Sequence, residues 1–161
     1  MTTTVKLPDE CSIEEIDKFC ELVRKGEEVD PKGLTNRVKR AAALVFLYAG
    51  NDLRGVAALK KPNVAYKAGV FQKAAATVSA KEFALELGWV YVVPEHRRKG
   101  LSRDLVEAAL NSAEKQMVFA TSTTDNEAMH RTLLKSGFSK EGKPYRSGMG
   151  EHSLELFLLR Q

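Results

Sequence analysis

The chain has 161 residues, with 25 Lys and Arg against 21 Asp and Glu, giving a formal net charge of +4. That length suits one domain with a substantial core, and the residue balance is that of a folded globular protein, not a disordered or polycationic one. Two cysteines, Cys11 and Cys20, are too few for a disulfide framework or a cysteine-rich zinc site, so both read as reduced thiols.

The opening Met1-Thr2-Thr3-Thr4 lacks a charged-then-apolar leader, and no apolar run approaches membrane-spanning length. Together these predict a cytoplasmic protein with no membrane partner. No repeat or low-complexity linker divides the chain, so residues 1–161 are expected to form one domain.

In chain order, Val5 to Leu7 suggests a short first strand. Ser12-Ile13-Glu14-Glu15 then has the form of a capping box, followed by Ile13, Ile16, Phe19, Cys20 and Val23 at helical spacing and a stop at Gly26. Asp30-Pro31 is expected to open a second helix. Ala42 to Ala49 and Gly55 to Leu59 read as antiparallel strands around the turn Gly50-Asn51-Asp52.

Asn63 to Lys81, with Tyr66, Val70, Phe71 and Ala74, suggests a helix and a loop inserted between strands. Phe83 to Val93 is the strongest strand signal and stops at Pro94. A long helix from Gly100 to Lys115 carries the buried stripe Leu101, Leu105, Val106, Ala109 and Ala113. Met117 to Ala120 is a short strand. Thr124-Asp125-Asn126 then caps a helix with apolar Met129, Leu133 and Leu134, ending at Gly137 in a left-handed cap. Phe138 to Lys140, extended toward Tyr145, and Ser153 to Leu159 close the pattern, which is mixed α/β.

The chemistry concentrates after the strongest strand. A buried strand, a proline stop, the basic turn Arg97-Arg98-Lys99 and then Gly100-Leu101-Ser102 opening a helix make an anion site on physical grounds. Helix N-terminal N–H groups are unpaired, the dipole adds partial positive charge, and Gly100 admits a close ligand. The plainer alternative for the same residues is a capped helix start with a solvated basic turn.

Pro94-x-x-Arg97-Arg98-Lys99-Gly100-Leu101-Ser102 resembles the Arg/Gln-x-x-Gly-x-Gly/Ala pyrophosphate loop of the GCN5-related N-acetyltransferases. Asn126 followed by Gly137-Phe138 resembles their second signature, and the element order agrees over nearly the whole chain. The resemblance implies one domain with a central mixed, mostly antiparallel sheet, splayed at a cofactor slot and flanked by helices. It implies acetyl-CoA as co-substrate, without a metal, and transfer of the acetyl group to a primary amine of a small molecule or protein.

Residue by residue, it implies that amides from Arg98 through Ser102 hold the pyrophosphate, with Arg97, Arg98 and Lys99 supplying charge. Main-chain groups of Val90 and Val92 would pair with the pantetheine arm in a slot between the strand ending at Val93 and the Met117 strand. The Val90 N–H would face the thioester oxygen, and the Asn126 side chain would lie near the thiol. Glu86 matches the carboxylate base of histone-acetylating members, suited to neutralising an attacking amine; its alternative is a structural strand residue. Glu82 and Glu95 are weaker candidates.

This chain departs from the family pattern at two places. Ser102 stands where Gly or Ala is usual, and Leu133 stands where many members have the Tyr that protonates the departing thiolate. Tyr145, Ser136, His130 or water are the replacements for that acid. A cofactor-binding module without turnover, or a nucleic-acid binder using Arg37, Lys39, Arg40 and the basic turn, are the competing functions. The three histidines, His96, His130 and His152, have no metal-ligand spacing. The acceptor would be chosen by the early helices, the 63–81 insertion and the stretch from Tyr145 to Glu151. Either a monomer or a homodimer fits.

Overall fold

The computed structural model describes residues 1–26, 30–148 and 150–161; of the stretch from Tyr145 to Glu151, Met149 lies outside the described residues. In chain order the elements are β1 (Thr2–Lys6), α1 (Ile13–Lys25), α2 (Leu34–Lys39), β2 (Ala43–Ala49), β3 (Asp52–Lys60), α3 (Val64–Lys73) and β4 (Leu85–Val92). There follow α4 (Leu101–Asn111), β5 (Val118–Thr123), α5 (Glu127–Lys135), β6 (Ser139–Arg146) and β7 (Ser153–Leu159). The strands make a seven-stranded sheet in the order β1-β2-β3-β4-β5-β7-β6. The β4–β5 pairing is parallel, while β1–β2, β2–β3, β5–β7 and β6–β7 are antiparallel, so the expected mixed, mostly antiparallel architecture with flanking helices is what the chain adopts.

Contacts divide the chain into two compact units, Met1–Lys60 with Leu87–Ser112, and Lys61–Glu86 with Ala113–Gln161. In the first, β2 lies between β1 and β3, with Val5↔Val45 and Val45↔Ala57 in register. Ala43 through Leu47 are buried without a break, the pattern of a strand covered on both faces. One face packs Phe46 and Val56 against Phe19, Val23 and Leu34 of α1 and α2. The Phe19 and Phe46 rings meet edge to face at 5.4 Å. By alternation Val45 and Leu47 turn to the opposite side, and α4 packs on β2 and β3 with Leu105, Val106 and Ala109 buried. Each large side chain so buried stabilises the fold by roughly 1.5–3 kcal/mol.

Local signals fix the helix starts. The Ser12 hydroxyl accepts from the Glu15 N–H at 3.1 Å, and the Glu15 carboxylate accepts from the Ser12 N–H at 2.9 Å, completing the expected capping box. Gly26 ends α1 as expected. The expectation for Asp30-Pro31 is corrected: α2 starts at Leu34, with left-handed Gly33 as its N-cap. The Asp30 carboxylate instead accepts from the Lys32 N–H at 3.0 Å, closing a turn, and the Arg37 guanidinium binds the carbonyls of Asp30 and Lys32. Ile13 is likewise corrected, since as the first residue of α1 it is 77 % exposed although it follows the spacing of the buried face.

In the second unit β7 runs antiparallel between β5 and β6, from Val118↔Leu159 to Thr123↔Leu154 on the β5 side. Leu85 and Glu86 of β4 pair in parallel with Val118 and Phe119. α3 is the predicted inserted helix. Asn63 caps it by accepting from the N–H groups of Ala65 (2.8 Å) and Tyr66 (3.2 Å). Its inner face sets Phe71 against the rings of Phe83 (5.5 Å) and Phe119 (5.4 Å). The α5 stripe differs from expectation: Leu133 is buried, Leu134 is 49 % exposed, and His130 takes the inward place. α5 ends with Phe138 N–H to Leu133 O (3.0 Å) and Gly137 N–H to Leu134 O (3.1 Å), the bonds of a left-handed terminus at Gly137.

Both cysteines are free. Among the described residues no helix is long and apolar enough to cross a membrane.

Candidate functional site

The basic turn belongs to the first unit. β4 ends at Val92, Pro94–His96 makes one 3-10 turn, and Arg98 (φ 64°) and Gly100 (φ 76°) take left-handed backbone before α4 begins at Leu101. For Arg98 that conformation costs about 1–2 kcal/mol, and for Gly100 nothing steric. Gly100 is the N-cap of α4 and no side chain caps the helix. The first-turn N–H groups are therefore not met by a capping side chain.

A Cβ at Gly100 would meet no heavy atom within 4 Å, so the space above the turn is open. Arg97, Arg98 and Lys99 are exposed around it, Leu101 is buried and anchors α4, and Ser102 is half-buried. Arg97 Nε donates to the Val92 carbonyl at 2.8 Å, and its guanidinium lies 5.3 Å from the centre of the Tyr91 ring. That contact ties the turn to the end of β4. Helix N–H groups, dipole, three cations and open approach together fit a diphosphate. His96 is half-buried rather than solvated, and its Nδ1 has no hydrogen-bond partner among the described residues.

Upstream in β4, Trp89 has φ of 53° within a strand. A bulky residue so placed breaks the pleat between Gly88 and Val90 and stores strain of order 1–2 kcal/mol. Its ring is held by Phe19, edge to face at 6.2 Å, and by the Lys60 ammonium 4.6 Å above it. Val90 beyond it is half-buried and Val92 buried.

The second unit gathers the acid–base candidates. Glu86 is 3 % exposed, and its Oε2 accepts from the Tyr66 hydroxyl at 3.0 Å. Tyr66 stands on the first turn of α3 and also bonds Thr121 on β5. Desolvation, then the Glu86 charge, push the Tyr66 phenol well above its ordinary value. Tyr145 on β6 is pushed up too, first by burial and then by the Glu86 charge. Its hydroxyl is buried with no hydrogen-bond partner among the described residues. Two neutral phenols thus accompany one buried carboxylate. Glu82 and Glu95 are exposed.

Asn126 caps α5, its Oδ1 accepting from the Met129 N–H at 3.1 Å, which leaves the donor end of the amide uncommitted to the cap. Leu133 is 1 % exposed and faces the core. His130 Nε2 donates to the Thr123 carbonyl at 2.9 Å, with the ring 5.0 Å from that of Phe157, so this histidine is bound into the packing of α5. Ser136 Oγ is buried without a partner among the described residues. Among those residues no group of His, Cys, Asp and Glu gathers that could hold a metal.

The structure therefore bonds Tyr66 to Glu86 and sets Tyr145 within the influence of the same charge. The sequence treats Tyr66 as one more apolar-face residue of the insertion. Its spacing to Val70 and Ala74 puts it on their stripe, and its partner is remote in sequence, so no local signal marks the contact.

Residues 11–138 match the model of the Acetyltransferase (GNAT) family. Among solved structures, Escherichia coli ElaA matches with a TM-score of 0.72 at 11 % identity, covering 99 % of each chain. yncA from Salmonella typhimurium, solved with acetyl-CoA, gives 0.66 at 16 % identity over 99 % of this chain and 94 % of that one. The ribosomal-protein-S18-alanine N-acetyltransferase from Escherichia coli gives 0.66 at 15 % identity over 98 % and 93 %. No match is found among curated proteins. At these identities the structural likeness is one of fold, and it agrees with the family match. With that match spanning most of its length, the chain belongs to the Acetyltransferase (GNAT) family and is an acetyltransferase.

Proposed function

We propose that the protein transfers an acetyl group from acetyl-CoA directly to a primary amine, with Glu86 as the base that neutralises it. The observation that carries this reading is the buried Glu86 carboxylate with Tyr66 bonded to it and Tyr145 in its field. An ammonium cannot attack, and a carboxylate shielded from water is a suitable proton acceptor for it.

Amides from Arg98 to Ser102, with the charges of Arg97, Arg98 and Lys99, bind the diphosphate of CoA. The uncapped α4 terminus and the open space over Gly100 support this. Main-chain groups of Val90 and Val92 pair with the pantetheine arm, and the Val90 N–H meets the charge growing on the thioester oxygen. The broken pleat at Trp89 supports a main-chain group turned to that use. The donor end of Asn126 serves near the thiol. yncA, of the same fold, was solved with acetyl-CoA, which supports the same ligand here.

In the reaction the amine proton passes to Glu86, directly or through water. The amine nitrogen bonds the thioester carbon, the C–S bond breaks, and the thiolate takes a proton from Tyr145 or from water. The Tyr145 hydroxyl is buried with no hydrogen-bond partner among the described residues, which supports it as a donor. The same burial makes it a weaker acid, which favours water.

Thermal melting with acetyl-CoA and thiol release over a series of primary amines test the proposal together. Acetyl-CoA at a hundred times its Kd adds about 2.7 kcal/mol to stability. Glu86→Gln is expected to lower kcat on the order of a hundred-fold while the melting shift survives. No shift at millimolar acetyl-CoA, or a Glu86→Gln variant with full turnover, overturns the respective half of the assignment.

A further inference from the structure

We infer that Tyr66 is a positioning residue for this reaction, its hydroxyl holding one oxygen of the Glu86 carboxylate so that the group stays fixed and oriented toward the amine. The inference rests on the reading of Glu86 as the base. The geometry that carries it is the 3.0 Å bond from Tyr66 Oη to Glu86 Oε2.

Tyr66 is 46 % exposed, yet its polar tip engages a carboxylate that is 3 % exposed. Apolar burial alone does not account for the placement, since much of the ring remains in water; the phenol–carboxylate contact does.

The helix that carries Tyr66 is fastened so that the contact is repeatable. Asn63 caps its first turn through the N–H groups of Ala65 and Tyr66. Lys67 Nζ donates to the Phe83 carbonyl at 3.0 Å, just upstream of Glu86. At the other end the Ala74 carbonyl accepts from the Lys143 N–H at 2.8 Å. Phe71 is locked between two rings. Tyr66 is thus presented by a rigid element, as a group that orients a catalytic side chain must be.

Tyr66 does not itself exchange a proton in the cycle. Its phenol is pushed further up by the carboxylate it binds, so it remains a donor throughout the neutral range.

The test compares wild type, Tyr66→Phe, Glu86→Gln and the double variant, using acetyl-CoA and the primary alkylamine giving the fastest thiol release. Tyr66→Phe keeps the ring and its packing. It is expected to lower kcat on the order of tenfold, the effect of losing one bond to a charged group. KM for acetyl-CoA and the acetyl-CoA melting shift should stay unchanged. In the Glu86→Gln background the same substitution should have no further effect on kcat.

Tyrosinate absorbance gives a second readout that needs no acceptor. In a Tyr145→Phe background, which removes the other phenol raised by the Glu86 charge, Glu86→Gln should bring one late-ionising tyrosine down toward its ordinary value, and Tyr66→Phe should remove it. A Tyr66→Phe enzyme with wild-type kcat overturns the inference while leaving the acetyltransfer reading intact. A tyrosine titration indifferent to Glu86→Gln overturns it too. If wild type releases thiol with no amine, the acetyltransfer reading fails first, and the positioning role falls with it.

Discussion

The backbone N–H of Lys143 donates to the carbonyl oxygen of Ala74 at 2.8 Å, hanging an irregular stretch of β6 on the C-terminal end of α3. The β6–β7 register shifts between Glu141 and Tyr145 at this place, and Thr77 adds bonds from its N–H (3.4 Å) and hydroxyl (3.3 Å) to the Glu141 carboxylate. The strand that carries Tyr145 and the helix that carries Tyr66 are therefore joined independently of Glu86.

Gly142 makes the approach possible. Its φ is 69°, and a Cβ there would collide with the Ala74 carbonyl oxygen. Gly142→Ala is expected to cost about 3 kcal/mol from strain and overlap combined, read as a lowered chemical-denaturation midpoint. Turnover should fall further than the folded fraction does, because both tyrosines lose their common support.

Gly100→Glu and Gly100→Ala separate charge from strain at the basic turn. Both place a side chain at φ of 76° with open space around it, so both should fold with a loss of about 1–2 kcal/mol. Only the glutamate puts a negative charge where the diphosphate is proposed to lie. The acetyl-CoA melting shift should vanish in Gly100→Glu and largely persist in Gly100→Ala.

Tyr145→Phe removes a hydroxyl that is buried without a partner and keeps the ring. Its thermal stability should hold or rise, since a desolvated phenol without a partner costs about 1–3 kcal/mol. If Tyr145 is the proton donor, turnover falls at least tenfold with acetyl-CoA affinity unchanged; if water is, turnover holds. Restoring a tyrosine at position 133 is a poor alternative test. Leu133 is packed in the core, and the larger ring would cost about 1–3 kcal/mol in overpacking.

The raised phenols make an alkaline prediction. Above the ordinary tyrosine value of 10.0 the unfolded chain loses the protons of Tyr66 and Tyr145 while the folded chain keeps them. The folded state then binds more protons, so stability is fully present below pH 10.0 and falls as pH rises beyond it. Urea midpoints measured from pH 8 to 11.5 should fall more steeply in wild type than in the Tyr66→Phe, Tyr145→Phe double variant.

Much of this was legible where the signal is local. The Ser12–Glu15 box, the α4 stripe from Leu101 to Ala109 and the limits of β7 follow from nearest-neighbour chemistry and periodicity and appear as read. But α4 stops at Asn111 and not at Lys115, so Ala113 is buried beyond its end. The α2 start failed because proline fixes one torsion but does not compel a helix, and the Asp30 side chain closed a turn instead. Ile13 failed because the first turn of α1 extends past the elements it packs on. The basic turn was readable because an anion site at a helix start is contiguous in sequence. The Tyr66–Glu86 contact was not, because its two halves meet only through tertiary packing of α3, which no periodicity encodes.

Trp89 is the chain's one tryptophan. Its left-handed backbone sets it directly before Val90, with the Phe19 ring at its edge and the Lys60 ammonium over its face. All indole emission from this protein therefore originates at one point of β4, in surroundings whose polarity is governed by a single ammonium. The fold thus carries a built-in optical reporter beside the main-chain groups proposed to receive the pantetheine arm. Ligand titrations and stopped-flow records excited where only indole absorbs can follow that strand with no dye attached.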